Sequence, residues 1–334
     1  MKLKNKNSAK DDFLRKHIST KFSIKALPND ASFRVYERIT TPKQSFILMD
    51  SSLEMKSVES FIKVGKFLNK NNYSSPKIIA EDKKAGFILL EDLGNTTYTK
   101  KLQESTDIQT EYNLYKNAVD VLISLHQLQK KIDLVEYSKE LLMGEALLLV
   151  DYYMKILHDH DLSKDLRDEY IAAWGKVFDC IYYKNSCLVL RDYHVDNLMC
   201  LDDRTGMQNV GLLDFQDAVI GSYAYDLVSL FEDARRDVSQ DVVSQITAYY
   251  LNNMPMIDNK KLLADYAIFG VQRSCKIIGI FARKAIRDND NRYLKHLPRT
   301  WLYVKNNINN PLLEPIKNWF SKVDIPIMRD AIEN

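Results

Sequence analysis

The chain has 334 residues, 46% of them hydrophobic and 28% charged, which predicts a folded protein of two lobes and little disorder. Its 47 basic and 45 acidic residues give a net charge of +2, which excludes the chain-wide basic field that recruits nucleic acid or an anionic membrane. No stretch approaches the roughly 18 apolar residues that span a bilayer, and the four cysteines form no CxxC pair. We therefore expect a cytoplasmic protein with reduced thiols and no zinc site.

The first part of the chain is predicted to be a basic flexible tail at 1–10 followed by a small β lobe at 11–93. Residues 32–39 alternate polar and apolar side chains, which is typical of a strand with one buried face. The segment EDLG at 91–94 ends the lobe, because Gly94 and the polar run after it indicate a change of organisation. The predicted elements are strands at 32–39, 45–50, 78–81 and 86–90 and a helix at 57–71.

The second lobe, 94–334, is predicted to be mainly helical, because apolar residues recur there with a period near 3.6. Short strands interrupt the helices around the segments CLVL, NLM and VGLLDF, between 187 and 215. The predicted helices cover 110–130, 139–158, 163–182, 222–235, 239–252 and 260–287.

Two motifs in the second lobe carry chemistry: RDYHVDN at 191–197 and LLDFQDA at 212–218. Phosphoryl transfer needs a carboxylate to orient the attacking hydroxyl and metal ions to neutralise the phosphates. Mg2+ prefers oxygen ligands, so Asn197 and Asp214 are candidate ligands and Asp192 is the candidate base. The alternative is that these side chains merely cap turns, as Asp and Asn often do.

This arrangement resembles the aminoglycoside phosphotransferase and choline kinase superfamily, and more closely its bacterial anomeric kinases of N-acetylmuramic acid and N-acetylglucosamine. The closer resemblance also rests on GFILLEDLG, YAYDLVSLFEDARRDV and RSCKIIGIFARKAIRD. It implies an α+β, two-lobed, protein-kinase-like fold, with a small antiparallel β lobe and a larger helical lobe. It further implies ATP and Mg2+ as cofactors and His194 as the companion of Asp192. The hinge that meets adenine is implied to be Glu91, Asp92 and Leu93.

The sequence departs from this family at Met49, where kinase-like proteins keep a lysine for the nucleotide phosphates. We expect Arg38, or with less support Arg34, to replace it, because arginine binds phosphate bidentately. Ser32 shares the same strand face and joins the predicted nucleotide contacts; the alternative is that the arginines are solvated. In kinase-like proteins a glutamate of the next helix pairs with that lysine, and Glu59 is the candidate for this glutamate.

The acceptor site is predicted from residues around the second motif and the helices after it. Asp217 is expected to accept a hydrogen bond from a sugar hydroxyl, and Asp233 and Arg235 either contact the acceptor or form a solvated face. Asp226 is expected to cap the helix that follows it. One arginine of the helix 260–287 could bind an acidic acceptor, although the expected role of the basic residues of this helix is that of a solvated surface. These are Arg273, Lys276, Arg283, Lys284 and Arg287.

The leading hypothesis is therefore a Mg2+-dependent kinase that phosphorylates a small-molecule amino sugar with ATP, with no nucleic-acid or membrane partner. One alternative is an aminoglycoside- or choline-type phosphotransferase, although a polycationic acceptor favours a more acidic site. Another is a catalytically silent regulatory module, which the missing lysine favours and intact Asp192, Asn197 and Asp214 disfavour. The resemblance also implies a possible association with a tRNA-modification ATPase domain, since relatives occur fused to one.

Overall fold

A computed structural model describes residues 2–28, 34–323 and 325–328 of the chain. The protein divides into two compact units, one formed by Met1–Thr110 with Val195–Ala218 and the other by Glu111–His194 with Val219–Asn334. These units do not coincide with the predicted lobes at 11–93 and 94–334, so the lobe boundary stays a prediction. Among the described residues, no helix combines the length and apolarity needed to cross a membrane.

The first unit is built on a five-stranded antiparallel sheet, which confirms the predicted β structure. Its spatial order is β1-β2-β3-β5-β4, and helix α2 (Lys56–Lys70) follows β3 along the chain. Strand β3 is largely buried, since Leu48 and Met49 have no exposed surface. The strands are β1 (Ser23–Ala26), β2 (Val35–Thr40), β3 (Ser45–Asp50), β4 (Ile78–Asp82) and β5 (Phe87–Glu91).

A helix, α1 (Lys2–His17), occupies the place of the predicted flexible tail at 1–10. Phe13 and Leu14 pack into a buried cluster with residues of the sheet, including Ile39 and Leu48. Lys10 forms an ion pair with Glu37 of β2 at 2.9 Å. Burial of the helix end against the sheet supplies the stabilisation that a short isolated helix lacks. The assignment of 1–10 as a separate basic tail stays a prediction.

The rest of the chain is mainly helical, as predicted, with one interruption of the expected helix at 139–158. There α5 (Lys139–Leu148) passes through a π-helical turn, Leu149–Tyr153, into α6 (Met154–His158). A Cβ placed on Gly279 would lie 2.2 Å from the carbonyl carbon of Leu148, so two backbones approach closely at this point. The other helices are α3 (Tyr98–Glu104), α4 (Ile108–Gln127), α7 (Lys164–Asp179), α8 (Ala224–Phe231), α9 (Gln240–Asn253), α10 (Asn259–Asp288), α11 (Leu297–Asn307) and α12 (Glu314–Lys322).

Four short strands frame the two motifs. Strand β6 (Cys187–Val189) pairs with β9 (Val219–Gly221) in the second unit, and β7 (Leu198–Cys200) pairs with β8 (Val210–Leu212) in the first. The sequence predicted β6, β7 and β8 but not β9. As a result, RDYHVDN lies between β6 and β7, and LLDFQDA begins at the last residue of β8 and ends just before β9.

Candidate active site

The backbone turn at 190–192 is held by Asp226, a fully buried residue in the first turn of α8. Its carboxylate accepts the N–H of Leu190 at 2.6 Å and that of Arg191 at 2.9 Å, and Ser229 donates its hydroxyl to the Arg191 carbonyl. Arg191 has a φ of 71°, an uncommon value for a residue with a side chain, so these bonds hold a conformation that it would rarely adopt alone. Burial raises the pKa of Asp226 to about 7. The helix cap predicted for Asp226 was wrong, since the capping position is Tyr223.

A second carboxylate, that of Glu145 on α5, holds the side chain of Arg191. Its Oε1 forms ion pairs with Arg191 and with Lys276 Nζ, the latter at 3.0 Å. Its Oε2 accepts hydrogen bonds from Tyr137 and, at 3.3 Å, from Gln272. Burial would raise the pKa of Glu145, but Lys276 and Arg191 outweigh it and hold the pKa below its ordinary value. Glu145 is therefore an ionised and nearly buried carboxylate that contacts four side chains beside the first motif.

Asp192, the predicted base, lies at the end of this turn and is partly buried. Its N–H donates to the Leu190 carbonyl at 2.9 Å, and its own carbonyl accepts the N–H of His194, which is buried. Burial would raise the pKa of Asp192, but electrostatic interactions with four neighbouring basic side chains outweigh it and hold the pKa below its ordinary value. The four are Lys276, His194, Arg191 and Arg273.

The predicted metal ligands, Asn197 and Asp214, lie at one end of the β7–β8 hairpin in the first unit. The register pairs Leu198 with Leu212, and the Asn197 carbonyl accepts the N–H of Leu213 at 2.9 Å. Asp214 has a φ of 56°, and its Oδ1 accepts hydrogen bonds from Arg34 at 3.1 Å and from Gln216 at 2.9 Å. Within the described part of the chain, no three His, Cys, Asp or Glu side chains group as a metal site. An amide and a carboxylate oxygen suit Mg2+, which keeps waters and phosphates as its other ligands.

The two arginines predicted to bind phosphate lie in different surroundings, Arg38 on β2 and Arg34 immediately before it. The Arg38 guanidinium contacts the segment after β5. It forms an ion pair with Asp92 at 2.7 Å and donates hydrogen bonds to Asn95 and to the Gly94 carbonyl. Arg34, in contrast, is buried beside the predicted metal ligand Asp214. Both arginines share one face of the strand, so periodicity could not separate them. Ser32 lies outside the described residues.

Arg34 also lies near a second acid, and that acid is not the predicted Glu59. Arg34 Nε is 3.6 Å from Glu54 Oε2, whereas Glu59 is exposed on α2. Burial opposes the charge of Arg34, but Tyr36, Asp214 and Glu54 outweigh burial and raise its pKa. Glu54 was missed because it precedes the helix in which a partner was sought.

The predicted hinge residues lie at the end of β5 and are fixed by neighbouring side chains. Glu91 pairs with Arg204 at 2.6 Å and accepts the N–H of Lys77 at 3.1 Å. Asp92 receives Arg38 and the N–H of Gly94. A Cβ on Gly211 would lie 3.1 Å from Leu93 Cδ1, so this leucine packs closely against β8. Their contact with adenine stays a prediction.

The three predicted acceptor residues differ in exposure. Asp217 is exposed and accepts a hydrogen bond from Gln216 at 3.1 Å. Asp233 is buried and accepts the N–H of Arg235 at 2.9 Å, while Arg235 itself is exposed. The default reading of the basic residues on α10 was wrong for Arg273 and Lys276, which are largely buried.

The comparisons with known proteins agree with this arrangement. Residues 23–259 match the model of the phosphotransferase enzyme family. The chain belongs to this family. A kinase of Caulobacter vibrioides named N-acetylmuramate/N-acetylglucosamine kinase is 31% identical over 95% of this chain and 96% of its own length. A Pseudomonas putida protein of the same name is 32% identical over 84% of this chain and 82% of its own.

Solved structures of this phosphotransferase's relatives confirm the kinase-like fold. Choline kinase LicA from Streptococcus pneumoniae has a TM-score of 0.63 at 12% identity, covering 90% of this chain and 99% of its own. The ADP-bound aminoglycoside phosphotransferase APH(2'')-Ib has a TM-score of 0.57 at 16% identity, covering 87% and 96%. At these identities the likeness shows the fold alone.

Proposed function

We propose that this phosphotransferase is a Mg2+-dependent kinase that transfers the γ-phosphate of ATP to the anomeric hydroxyl of N-acetylmuramate or N-acetylglucosamine. The observation that carries the proposal is Asp192, a carboxylate that neighbouring cations hold ionised on a turn fixed by Asp226 and Glu145. The names of the relatives supply the acceptor.

Asp192 acts as the base in this proposal. Phosphoryl transfer is mainly positioning and charge stabilisation, and the base accepts the proton of the attacking hydroxyl as the bond to phosphorus forms. A base must be ionised before the hydroxyl arrives, and a pKa below the ordinary value ensures that at neutral pH. His194, whose backbone N–H bonds to Asp192, helps to shape the turn.

Asn197 and Asp214 hold Mg2+ in this proposal, and the ion, when bound, neutralises charge on the nucleotide phosphates. Arg34 replaces the lysine that is absent at Met49, and Glu54 orients it as the helix glutamate does in kinases with that lysine. The burial of Arg34 and its ion pair with Asp214 support this role. Glu91, Asp92 and Leu93 meet adenine, and Arg38 braces that segment.

Asp217, Asp233 and Arg235 remain proposed acceptor contacts, of which Asp217 and Arg235 are exposed and Asp233 is buried. The cations around Asp192 disfavour a polycationic acceptor such as an aminoglycoside, because like charges repel at short range. We also place the enzyme in the cytoplasm, where ATP is available. An association with a tRNA-modification ATPase domain stays a prediction from the resemblance.

The test is Mg2+-dependent ATP consumption with N-acetylmuramate, N-acetylglucosamine, kanamycin and choline offered in parallel. We expect turnover with the two N-acetylated sugars, a product whose phosphorus couples to the anomeric proton in NMR, and loss of turnover without Mg2+. Asp192→Asn should lower kcat by roughly 10²- to 10⁴-fold. Asp203→Asn removes an exposed acid of the neighbouring loop and serves as the control, with unchanged kcat.

Other outcomes would redirect the proposal. Turnover with kanamycin or choline alone would keep the family and overturn the acceptor, and the absence of both ATP binding and turnover would favour a silent module. A separate binding experiment tests the role of Arg34. The Arg34→Met variant should bind ATP more weakly than the wild type but should bind adenosine equally well. Equal weakening of both ligands would contradict a phosphate contact.

A further inference from the structure

Arg273 differs from Arg191 and Lys276, the other long basic side chains near Asp192, in forming no direct ion pair within the described part of the chain. Arg191 and Lys276 both form ion pairs with Glu145. Arg273, only 6% exposed, forms no ion pair with any described residue. Its one hydrogen bond runs from Nη1 to the backbone carbonyl of Glu232 at 3.4 Å, which is long for such a bond.

A buried guanidinium that no carboxylate contacts directly is unusual, even though the charges of Asp192, Asp226 and Glu232 act on it from nearby. Arginine is rarely buried unless it is paired, because removing its charge from water costs several kcal/mol. The guanidinium has five N–H donors, and the Glu232 carbonyl takes one of them. Because no carboxylate among the residues that the structure describes contacts the Arg273 guanidinium directly, a bound anion could accept hydrogen bonds from its remaining N–H donors and offset the cost of its desolvation.

The position of Arg273 indicates where that anion would bind. Arg273 lies on α10 three residues before Lys276, so both project from the same side of that helix. Its charge contributes to the lowered pKa of Asp192, which puts it within electrostatic range of the base. The other groups that share this surrounding are Arg191, His194, Lys276, Asp226, Glu232 and, through Lys276, Glu145 and Tyr225.

We propose that Arg273 binds the carboxylate of an acidic acceptor sugar and so determines the preference for acidic over neutral sugars. The inference rests on the proposed function, in which the acceptor hydroxyl lies at Asp192. The two sugars in the relatives' names differ by one lactyl carboxylate, which N-acetylmuramate has and N-acetylglucosamine lacks. A bidentate bond from arginine to a carboxylate is the strongest contact that such a group can gain from a protein.

The test compares the two sugars in each variant, so that any general effect of the substitution cancels in the ratio. Arg273→Met removes the charge at similar volume, and Arg273→Lys keeps the charge without the bidentate fork. For Arg273→Met we expect kcat/KM to fall about 10- to 100-fold with N-acetylmuramate and to stay within about threefold with N-acetylglucosamine. Arg273→Lys should fall between the wild type and Arg273→Met.

The matched control is Arg287→Met, which removes an exposed arginine of the same helix and should leave the ratio unchanged. Thermal unfolding of each variant checks that it is folded. A loss of kcat that is equal for both sugars would overturn the proposal, because it would assign Arg273 to the transferred phosphoryl group. An unchanged ratio with full activity would overturn it as well.

Calorimetry separates failure of this inference from failure of the proposed function. If the wild type phosphorylates neither sugar, the proposed function falls, and N-acetylmuramate binding alone decides the inference. Weaker binding by Arg273→Met than by the wild type would then support a carboxylate site. Equal binding, or no binding by the wild type, would overturn it.

Discussion

Two buried carboxylates hold the turn that carries Asp192, and they do so by different means. Glu145 receives side chains, two of them cations, and its pKa is lowered. Asp226 receives two backbone N–H groups, and burial raises its pKa to about 7. Neutral amides stabilise an anion less than full charges do, so they do not offset the desolvation of Asp226. The difference follows the partners of each acid: charged side chains hold the pKa of the nearly buried Glu145 low, whereas the backbone N–H groups leave the pKa of the fully buried Asp226 at about 7.

The largest effect is expected from Glu145→Gln, which removes the carboxylate that forms ion pairs with both Arg191 and Lys276. Removal of one partner from a buried ion pair costs about 3–5 kcal/mol in the free energy of unfolding. Chemical denaturation measures this loss, and adding Lys276→Met to the variant should recover part of it. Glu140→Gln, an exposed acid on the same helix, is the control and should unfold like the wild type. If Glu145→Gln loses no more free energy of unfolding than Glu140→Gln, Glu145 does not stabilise the turn as proposed.

The pH dependence of stability should show the two acids with opposite signs. The pKa of Asp226 is raised from 3.8 to about 7, so its contribution to stability is present below pH 4 and is lost as the pH rises to 7. The stability of the wild type relative to Asp226→Asn should therefore fall by an amount on the order of 3 kcal/mol between pH 4 and 7.5. Glu145 has a lowered pKa, so its contribution is present above pH 4.5 and is lost as the pH falls below that value.

The measurement is chemical denaturation of the wild type and of Asp226→Asn between pH 4 and 7.5. If the free energies of unfolding of the two proteins change in parallel with pH, the prediction for Asp226 is contradicted. Glu232, whose pKa burial raises to about 7, remains in both proteins and cancels from the difference. Asp265→Asn is a matched variant, because Asp265 also accepts two backbone N–H groups, from Tyr182 and Tyr183. It should reduce stability and leave kcat unchanged, whereas Asp226→Asn should reduce both.

The smallest effect is expected from Ser229→Ala, which removes a single hydrogen bond to the Arg191 carbonyl at 3.1 Å. Loss of one neutral bond costs about 1 kcal/mol. The carboxylates should keep the turn in place, so kcat should change by less than about threefold. A fall in kcat as large as that of Asp226→Asn would show that the hydroxyl, and not the carboxylates, fixes the turn.

Much of the fold could be predicted from local patterns. Period-two alternation predicted β2, the segment after the Thr-Pro turn was predicted as its hairpin partner β3, and the period of 3.6 predicted α4, α7, α9 and α10. The motifs were recognisable because the residues from Asp192 to Asn197 are contiguous. Strand β9 and helix α1 were missed, because the pairing of β9 with β6 and the burial of Phe13 depend on distant residues.

The supports of the site were harder to predict because they are distant in sequence. Asp226 reads locally as a helix cap, yet its partners lie 35 and 36 residues earlier. Glu145 lies in an ordinary helical pattern 46 residues before Arg191, and nothing in that pattern singles it out. Gly279 did carry a usable signal, because an isolated glycine inside a helix often marks a close backbone approach.

That glycine has a consequence for anyone who wishes to change the acceptor by directed evolution. Leu148 and Gly279, where the two backbones approach, each lie three residues after a member of the Glu145–Lys276 pair. A Cβ at position 279 would push the helices apart and change that pair without altering either side chain. Libraries that keep Gly279 and vary the exposed residues near Arg235 should yield more functional clones than libraries that randomise α10 as a whole.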